Sequence, residues 1–407
     1  MSFIATKTQA LLLVIIICIT LFPSGNSNEA MDVTTLNLLW ENKEGHNATL
    51  WSVRWSPDDS MISATYFDNT TTIFNAQNGS IITKMGAHPK PHGTRCDGEQ
   101  DCEIEEHLPT RSSAWSPDGK YLATGGDNRL IIIYASINWS VVKILEGHEQ
   151  SVLTLEWSPG GTMIASGSGT DKVAIHNEDK KENIVKIWDF STGLVIAELE
   201  GHQDGVMNVK WSPNGSQIAS ASDDKKIMLW STSDWTRTMT LDDHVLGVLD
   251  VDWSPNGTFL VSGSRDYKVR LWDAQTGESI DRWTEPNCIR SVHWHPDKGL
   301  IANSGVGETM LKIRNATTGT VIKTFTESAD SKSVVMSSRW SHDGLKLAAG
   351  AGLEHALRVY SFGISSEKES KEIPSWVPGT VLFMAITAIV VVLIMIPVLG
   401  KLQESGR

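Results

Sequence analysis

The tripeptide Trp-Ser-Pro recurs along this chain at a spacing that only a folding unit copied in series explains. Trp55, Trp115, Trp157, Trp211 and Trp253 each open it, Trp294 opens Trp-His-Pro and Trp340 opens Trp-Ser-His, which makes seven. Phe74, Tyr134, Trp230 and Trp272 stand 19 residues beyond their Trp, and Arg314 and Tyr360 stand 20 beyond theirs. The segments that end there, such as Lys268-Val269-Arg270-Leu271-Trp272, alternate with period two and carry β-branched residues. Pro-Asp-Gly and Pro-Asn-Gly turns separate them. Short strands between turn signals at this spacing predict an all-β fold.

Gly45-His46, Gly147-His148, Gly201-His202 and Asp243-His244 stand nine residues before their Trp, and Trp188-Asp189 and Trp272-Asp273 close their segments. A unit of about 42 residues with four strands and these markers resembles the WD-repeat β-propellers. The resemblance covers residues 36 to 362 and implies an all-β, seven-bladed WD-repeat propeller. It also implies a buried hydrogen-bond set within a blade, mapping onto His202, Ser220, Asp224 and Trp230, and again onto His244, Ser262, Asp266 and Trp272. Ser, His and Asp together are also the makings of a hydrolase. Recurrence in separate blades favours a structural task, because a nucleophile would be singular. The pattern decays elsewhere: the first blade offers Ala64 and Phe74, the second Asn128 and Tyr134, and the last two lack the His, so these blades are expected to be less rigid. The segment Leu36 to Trp40 is an orphan strand, expected to close the last blade and remove an exposed edge.

Two places depart from the repeat. His88 to Trp115 is 27 residues instead of nine, and Ser166 to Trp188 is 22 instead of the 10 from Ser220 to Trp230. The first insertion joins the outermost strand of one blade to the innermost of the next, and the second joins the second and third strands of a blade. In an up-and-down sheet both connections emerge at one end. That decorated end, with loops 89–110 and 172–184, is the expected binding face. The first loop carries Cys96 and Cys102, a candidate disulfide with zinc as the lesser reading. It also carries Asp97, Glu99, Asp101, Glu103, Glu105 and Glu106, a candidate partner-binding run. These acids match no calcium-loop spacing, and a solvated acidic loop is preferred to a calcium site.

The ends read differently. Residues 10–22 form a 13-residue apolar run behind Lys7, as in a secretory signal peptide, and Val381 to Leu399 is a 19-residue run without charge, long enough to span a bilayer. The expected order is a signal peptide at 1–27, the propeller at 28–362, a charged linker at 363–375, a transmembrane helix at 376–400 and a short cytoplasmic tail at 401–407. This places a prokaryotic-type propeller outside the cell, held in the cell membrane by one helix. A sorting signal at Pro378-Gly379-Thr380 is the second reading, from which Thr380 departs where such signals carry Phe. Outside the cell, Asn47, Asn69 and Asn138 become candidate glycosylation sites.

A formal charge of −13 opposes binding to nucleic acid, because that affinity comes from Lys and Arg displacing counterions. The sequence has no Gly-rich phosphate loop, His-Glu-x-x-His, nucleophile elbow or haem Cys pair, so no catalytic residue, cofactor or metal is assigned. The expected function is a membrane-anchored scaffold for protein–protein interaction or surface assembly. A small-molecule or metal-ion sensor, or an enzyme, working through a central channel is the alternative.

Overall fold

The computed structural model describes residues 36–43, 48–86, 108–169, 182–307, 311–325, 334–352 and 354–362. The apolar ends, the Cys96 and Cys102 pair, the run Asp97 to Glu106 and Asn47 lie outside the described residues. The described residues form 28 strands, from β1 (Leu36–Asn42) to β28 (Ala356–Phe362), in seven four-stranded antiparallel sheets. Six sheets run in simple sequence order. The seventh takes its outer strand from the start of the chain: β1 pairs with β28, Asn37 opposite Ser361 and Glu41 opposite Arg358. This joins the two ends of the domain and leaves no open seam.

Burial falls from the channel outward. The inner strand Val248–Trp253 is buried at every position, whereas the outer strand of the same blade, Ser279–Thr284, alternates between half-buried and exposed. The core lies between blades: one cluster joins Leu50, Val53, Trp55 and Phe74 to Ala348, Leu357 and Val359 of the closing blade. Each Leu, Val or Phe side chain among them contributes about 1.5–3 kcal/mol when fully buried.

The repeated tripeptide has two tasks. Its Ser organises the turn that follows the inner strand: Ser254 Oγ donates to Asn256 Oδ1 at 2.8 Å and accepts the Phe259 amide at 2.9 Å. Gly257, at φ +71°, completes that turn in the left-handed region. Six of the seven Trp fasten their blade to the preceding one in one of two ways. Where the residue preceding the earlier blade's Trp is Arg339, Ala114 or Lys210, the indole N–H reaches that residue's carbonyl: Trp55 to Arg339 at 2.9 Å, Trp157 to Ala114 and Trp253 to Lys210 at 3.1 Å. Where that residue is Glu156, Asp252 or His293, its side chain instead accepts the Trp backbone N–H, of Trp211 at 2.6 Å, Trp294 at 2.9 Å and Trp340 at 3.1 Å.

Strand direction sorts the connections. Second-to-third and fourth-to-first connections lie at one end of the ring, called the upper end here, and the Trp-Ser-Pro turns lie at the lower end. Residues 86 and 108, and 169 and 182, which flank the insertions, stand at the upper end.

Candidate functional site

Burial explains the hydrogen-bond sets inside the blades. Trp230 Nε1 donates to Ser220 Oγ at 2.8 Å, Ser220 Oγ meets His202 Nε2 at 2.8 Å, and His202 Nδ1 meets Asp224 Oδ2 at 2.8 Å. Trp272, Ser262, His244 and Asp266 repeat all three contacts at 2.8 Å. One donor order satisfies every group: indole N–H to hydroxyl, hydroxyl to Nε2, and Nδ1–H to carboxylate. Ser220 and Ser262 are completely buried, so no substrate reaches either hydroxyl. Burial holds His244 below its usual pKa. For Asp266 burial acts upward, but the bonds from His244 and the Val245 amide outweigh it and bring the carboxyl to about 2.

A third set, which the sequence pattern hides, occupies the preceding blade. His148 Nε2 meets Ser166 Oγ at 2.7 Å, Trp188 Nε1 donates to the same oxygen at 2.7 Å, and Glu182 Oε2 takes the place of the Asp at 3.2 Å from His148 Nδ1. Glu182 also accepts the Glu149 and Gln150 amides at 2.7 and 3.1 Å and pairs with Lys186 at 3.0 Å. The end of the second insertion is thus fastened into the blade. The blade of Trp294 and Arg314, which lacks the His, fills its place with other groups. Glu285 stands where the His would be, nine residues before Trp294, and is bonded by Arg314 and Lys312. Arg314 Nε donates to Asn303 Oδ1 at 3.1 Å. Charged residues fill there the space that a neutral set fills elsewhere.

The upper mouth of the channel is built from positions the repeat leaves free. Four residues before each marker Trp, the inner strands place Trp51, Arg111, Leu153, Met207, Leu249 and Arg290, then Met336 in the last blade. Arg111 forms a fork-to-fork pair with Asp127 at 2.8 and 2.9 Å, and both are buried. Its guanidinium lies 4.4 Å from the Trp51 ring centroid and 5.5 Å from Phe67, while Arg290 approaches Trp51 at 5.9 Å. Phe67, Tyr267, Val245 and Leu246 are exposed on upper-end loops, at 41, 48, 60 and 47%. Trp51 and Phe67 therefore pack around a fixed cation, and Tyr267, Val245 and Leu246 stand exposed on loops of another blade at the same end.

Asn69 does not suit glycosylation: its side chain is 4% exposed, and its Oδ1 accepts a hydrogen bond from Thr110 Oγ1 at 3.3 Å. Asn138 is exposed in a turn, where Oδ1 accepts from the Ser140 amide and hydroxyl at 3.1 and 2.8 Å. Cys288 is half-buried, and burial raises its thiol pKa. Among the described residues no cluster of three or more His, Cys, Asp or Glu forms a metal site.

Comparison with known proteins adds relatives. The chain is 32% identical over 152 residues to Protein HIR1 of Cryptococcus neoformans var. neoformans serotype D, covering 33% of this chain and 16% of that protein. It is 26% identical over 235 residues to a Chromatin assembly factor 1 subunit of Mus musculus, covering 50% of this chain and 35% of that protein. With Protein transport protein sec13 of Aspergillus clavatus it shares 29% identity over 213 residues, 48% of this chain and 69% of that protein. The match thus spans only 16% of the HIR1 length.

These relatives correct the expected placement in a cell membrane with the propeller on the extracytoplasmic side. They are eukaryotic, and two are named for chromatin assembly and protein transport rather than for a prokaryotic-type surface role. An apolar run reports the solvent preference of its own residues and assigns no compartment to the folded repeats beside it. Among the described residues, no helix is long and apolar enough to cross a membrane. A Cys96–Cys102 disulfide and sugars at Asn47 and Asn138 depended on that placement and lose its support. The WD domain, G-beta repeat family matches residues 38–75, 98–134, 139–189, 193–231 and 235–273. Its match stops before the blades that carry Arg314 and Tyr360 where others carry Trp. With seven blades in the fold and half of the chain matched, this protein belongs to the WD-repeat family.

Proposed function

We propose that this propeller is a non-catalytic protein-binding scaffold and that its contact surface is the upper end. The observation that carries the reading is exposed Phe67 beside the Trp51–Arg111 stack, with Tyr267, Val245 and Leu246 exposed on another blade at the same end. Rigid aromatic side chains of this kind dominate protein interfaces, because they cover much area with little rotamer entropy to lose. The two insertions attach at the same end, so the acidic run Asp97, Glu99, Asp101, Glu103, Glu105 and Glu106 would extend the surface toward a partner with basic side chains. The net charge of −13 favours a protein over nucleic acid. The relatives named for chromatin assembly and protein transport support a role inside a larger complex.

The test is quantitative affinity capture from the source cells with the intact chain, with Trp51→Ala/Phe67→Ala, and with residues 93–106 deleted, each checked for native circular dichroism. A defined protein is expected with the intact chain, its recovery reduced at least tenfold by the double substitution. Equal recovery by the folded variants would overturn the proposal.

A further inference from the structure

The channel is divided into two chambers, an upper one of about 70 Å³ and a lower one of about 520 Å³. Only Arg54 and Arg339, from neighbouring blades, line both. They belong to the ring of residues that directly precede the marker Trp, where the sequence places Arg54, Ala114, Glu156, Lys210, Asp252 and His293 before Arg339. The titratable members of this ring have partners, with one exception. Lys210 Nζ meets Glu156 Oε1 at 2.8 Å, His293 Nε2 stands 3.6 Å from Asp252 Oδ2, and Arg339 meets Asp250 Oδ2 at 3.1 Å. Arg54 gives one N–H to the Val53 carbonyl at 3.0 Å and, among the described residues, has no carboxylate at ion-pair distance. Burial, and then the charge of Arg339, lower its pKa to about 10, while the carboxylates of Asp250, Glu156 and Asp252, beyond ion-pair distance, act in the other direction. This guanidinium is half-buried, faces the channel beside a second cation, and among the described residues has no ion-pair partner of its own.

The lower chamber supplies the rest of a site. Indoles of Trp55, Trp157 and Trp253 and the rings of Pro57, Pro117 and Pro213 form apolar walls around this polar floor. Its volume is that of a small-molecule pocket, and besides the two guanidiniums its polar lining includes the paired Glu156 and Lys210, Asp252 and His293. We infer that the lower chamber binds a small organic anion, a carboxylate or phosphate seated between Arg54 and Arg339 with its ring or chain against the Trp and Pro walls. The site is on the opposite end of the ring from the proposed protein-binding surface and does not depend on it.

The test is isothermal titration of the full chain with benzoate, phenyl phosphate and inorganic phosphate, at ionic strength held constant with sodium chloride. Saturable binding of benzoate or phenyl phosphate is expected, weakened at least tenfold in Arg54→Gln and unchanged in Arg290→Gln at the upper mouth. The stronger of the two aromatic probes identifies the headgroup. Binding of inorganic phosphate alone overturns the organic-ligand assignment, and no saturable binding, or equal binding by a folded Arg54→Gln, overturns the site. Should that variant fail to fold, crystals of the unaltered chain soaked in 4-bromobenzoate decide: anomalous bromine signal in the lower chamber supports the site, and its absence contradicts it.

Discussion

Asp59 reaches across the seam where the ring closes and takes both the backbone N–H and the ring Nδ1 of His342, at 2.8 and 2.9 Å. Its second oxygen takes the Asp343 amide at 2.8 Å. In the corresponding turns of five other blades this position is Gly119, Gly161, Gly215, Gly257 and Gly344, each at positive φ. Asp59 holds φ 55° without being a glycine, so its carboxylate offsets a backbone conformation that costs a β-carbon about 1 kcal/mol or more.

Asp59→Asn and Asp59→Gly are expected to separate the two terms. Asparagine keeps the φ cost and loses the charged acceptor, for a loss of about 1–2 kcal/mol in denaturant unfolding. Glycine relieves the backbone and is expected to lose less. Burial acts to raise the Asp59 carboxyl, but the bonds from His342 and Asp343 hold it below its usual value. Its contribution is therefore complete above the unfolded carboxylate pKa of about 4 and disappears as pH falls through the lower folded value. The gap between the intact chain and Asp59→Asn should close under that acidification, and a gap that persists would contradict the latch.

The set His244–Asp266 gives a second pH dependence. Burial lowers the His244 pKa, so below about pH 6.5 the unfolded chain takes up a proton that the folded chain resists. Asp266, held at about 2, adds stability above the unfolded value of about 4, which is lost as pH falls toward 2. Chemical unfolding at a series of pH values should show stability declining from about pH 6.5 downward. Replacing His244 by Ala should cost about 2 kcal/mol at pH 7.5 and flatten the upper part of that decline. A profile flat down to pH 5 would contradict the assignment.

Glu182→Gln tests whether the end of the second insertion belongs to the fold. Burial opposes the Glu182 charge, but His148, Lys186 and the Glu149 amide together bring its carboxyl to about 2. The substitution is expected to cost about 1–2 kcal/mol and to increase hydrogen exchange at Glu149 and Gln150. No change in either would show that the contact carries no weight.

Arg314→Trp restores the family residue in the blade that lacks it. Alone it strips Glu285 of its Arg and should cost about 2–3 kcal/mol in urea unfolding. Combined with Glu285→His and Asn303→Ser, it should recover most of that loss, since the three positions act as one network. A triple variant no better than the single one would refute the idea that the ionic set substitutes for the neutral one.

What the sequence made legible follows from what repeats. The marker Trp and the alternating strands need only their own blade and the next, so blade number, strand order and the pairing of Leu36 to Trp40 with the last blade could be counted along the chain. Glu182 escaped because an insertion carries the acid 16 residues beyond Ser166, where the regular blade has Asp224 four beyond Ser220. Trp51, Phe67 and Arg111 escaped because the repeat tolerates any side chain at their positions, and the ring alone brings them together. Arg54 is one of many arginines until ring closure sets it beside Arg339 and leaves it, among the described residues, without a carboxylate at ion-pair distance. The apolar ends misled for the opposite reason: a strong local signal was extended to the whole chain, which the eukaryotic relatives do not support.

Hydrogen–deuterium exchange on the full chain, alone and in complex with its captured protein partner, tests the proposed role most directly. New protection is expected at upper-end segments, residues 49–52, 66–70 and 243–248, with the Trp-Ser-Pro turns at 56–60 and 254–258 unchanged. Protection confined to the lower-end turns, with the Phe67 and Leu246 segments still exchanging freely, would contradict it.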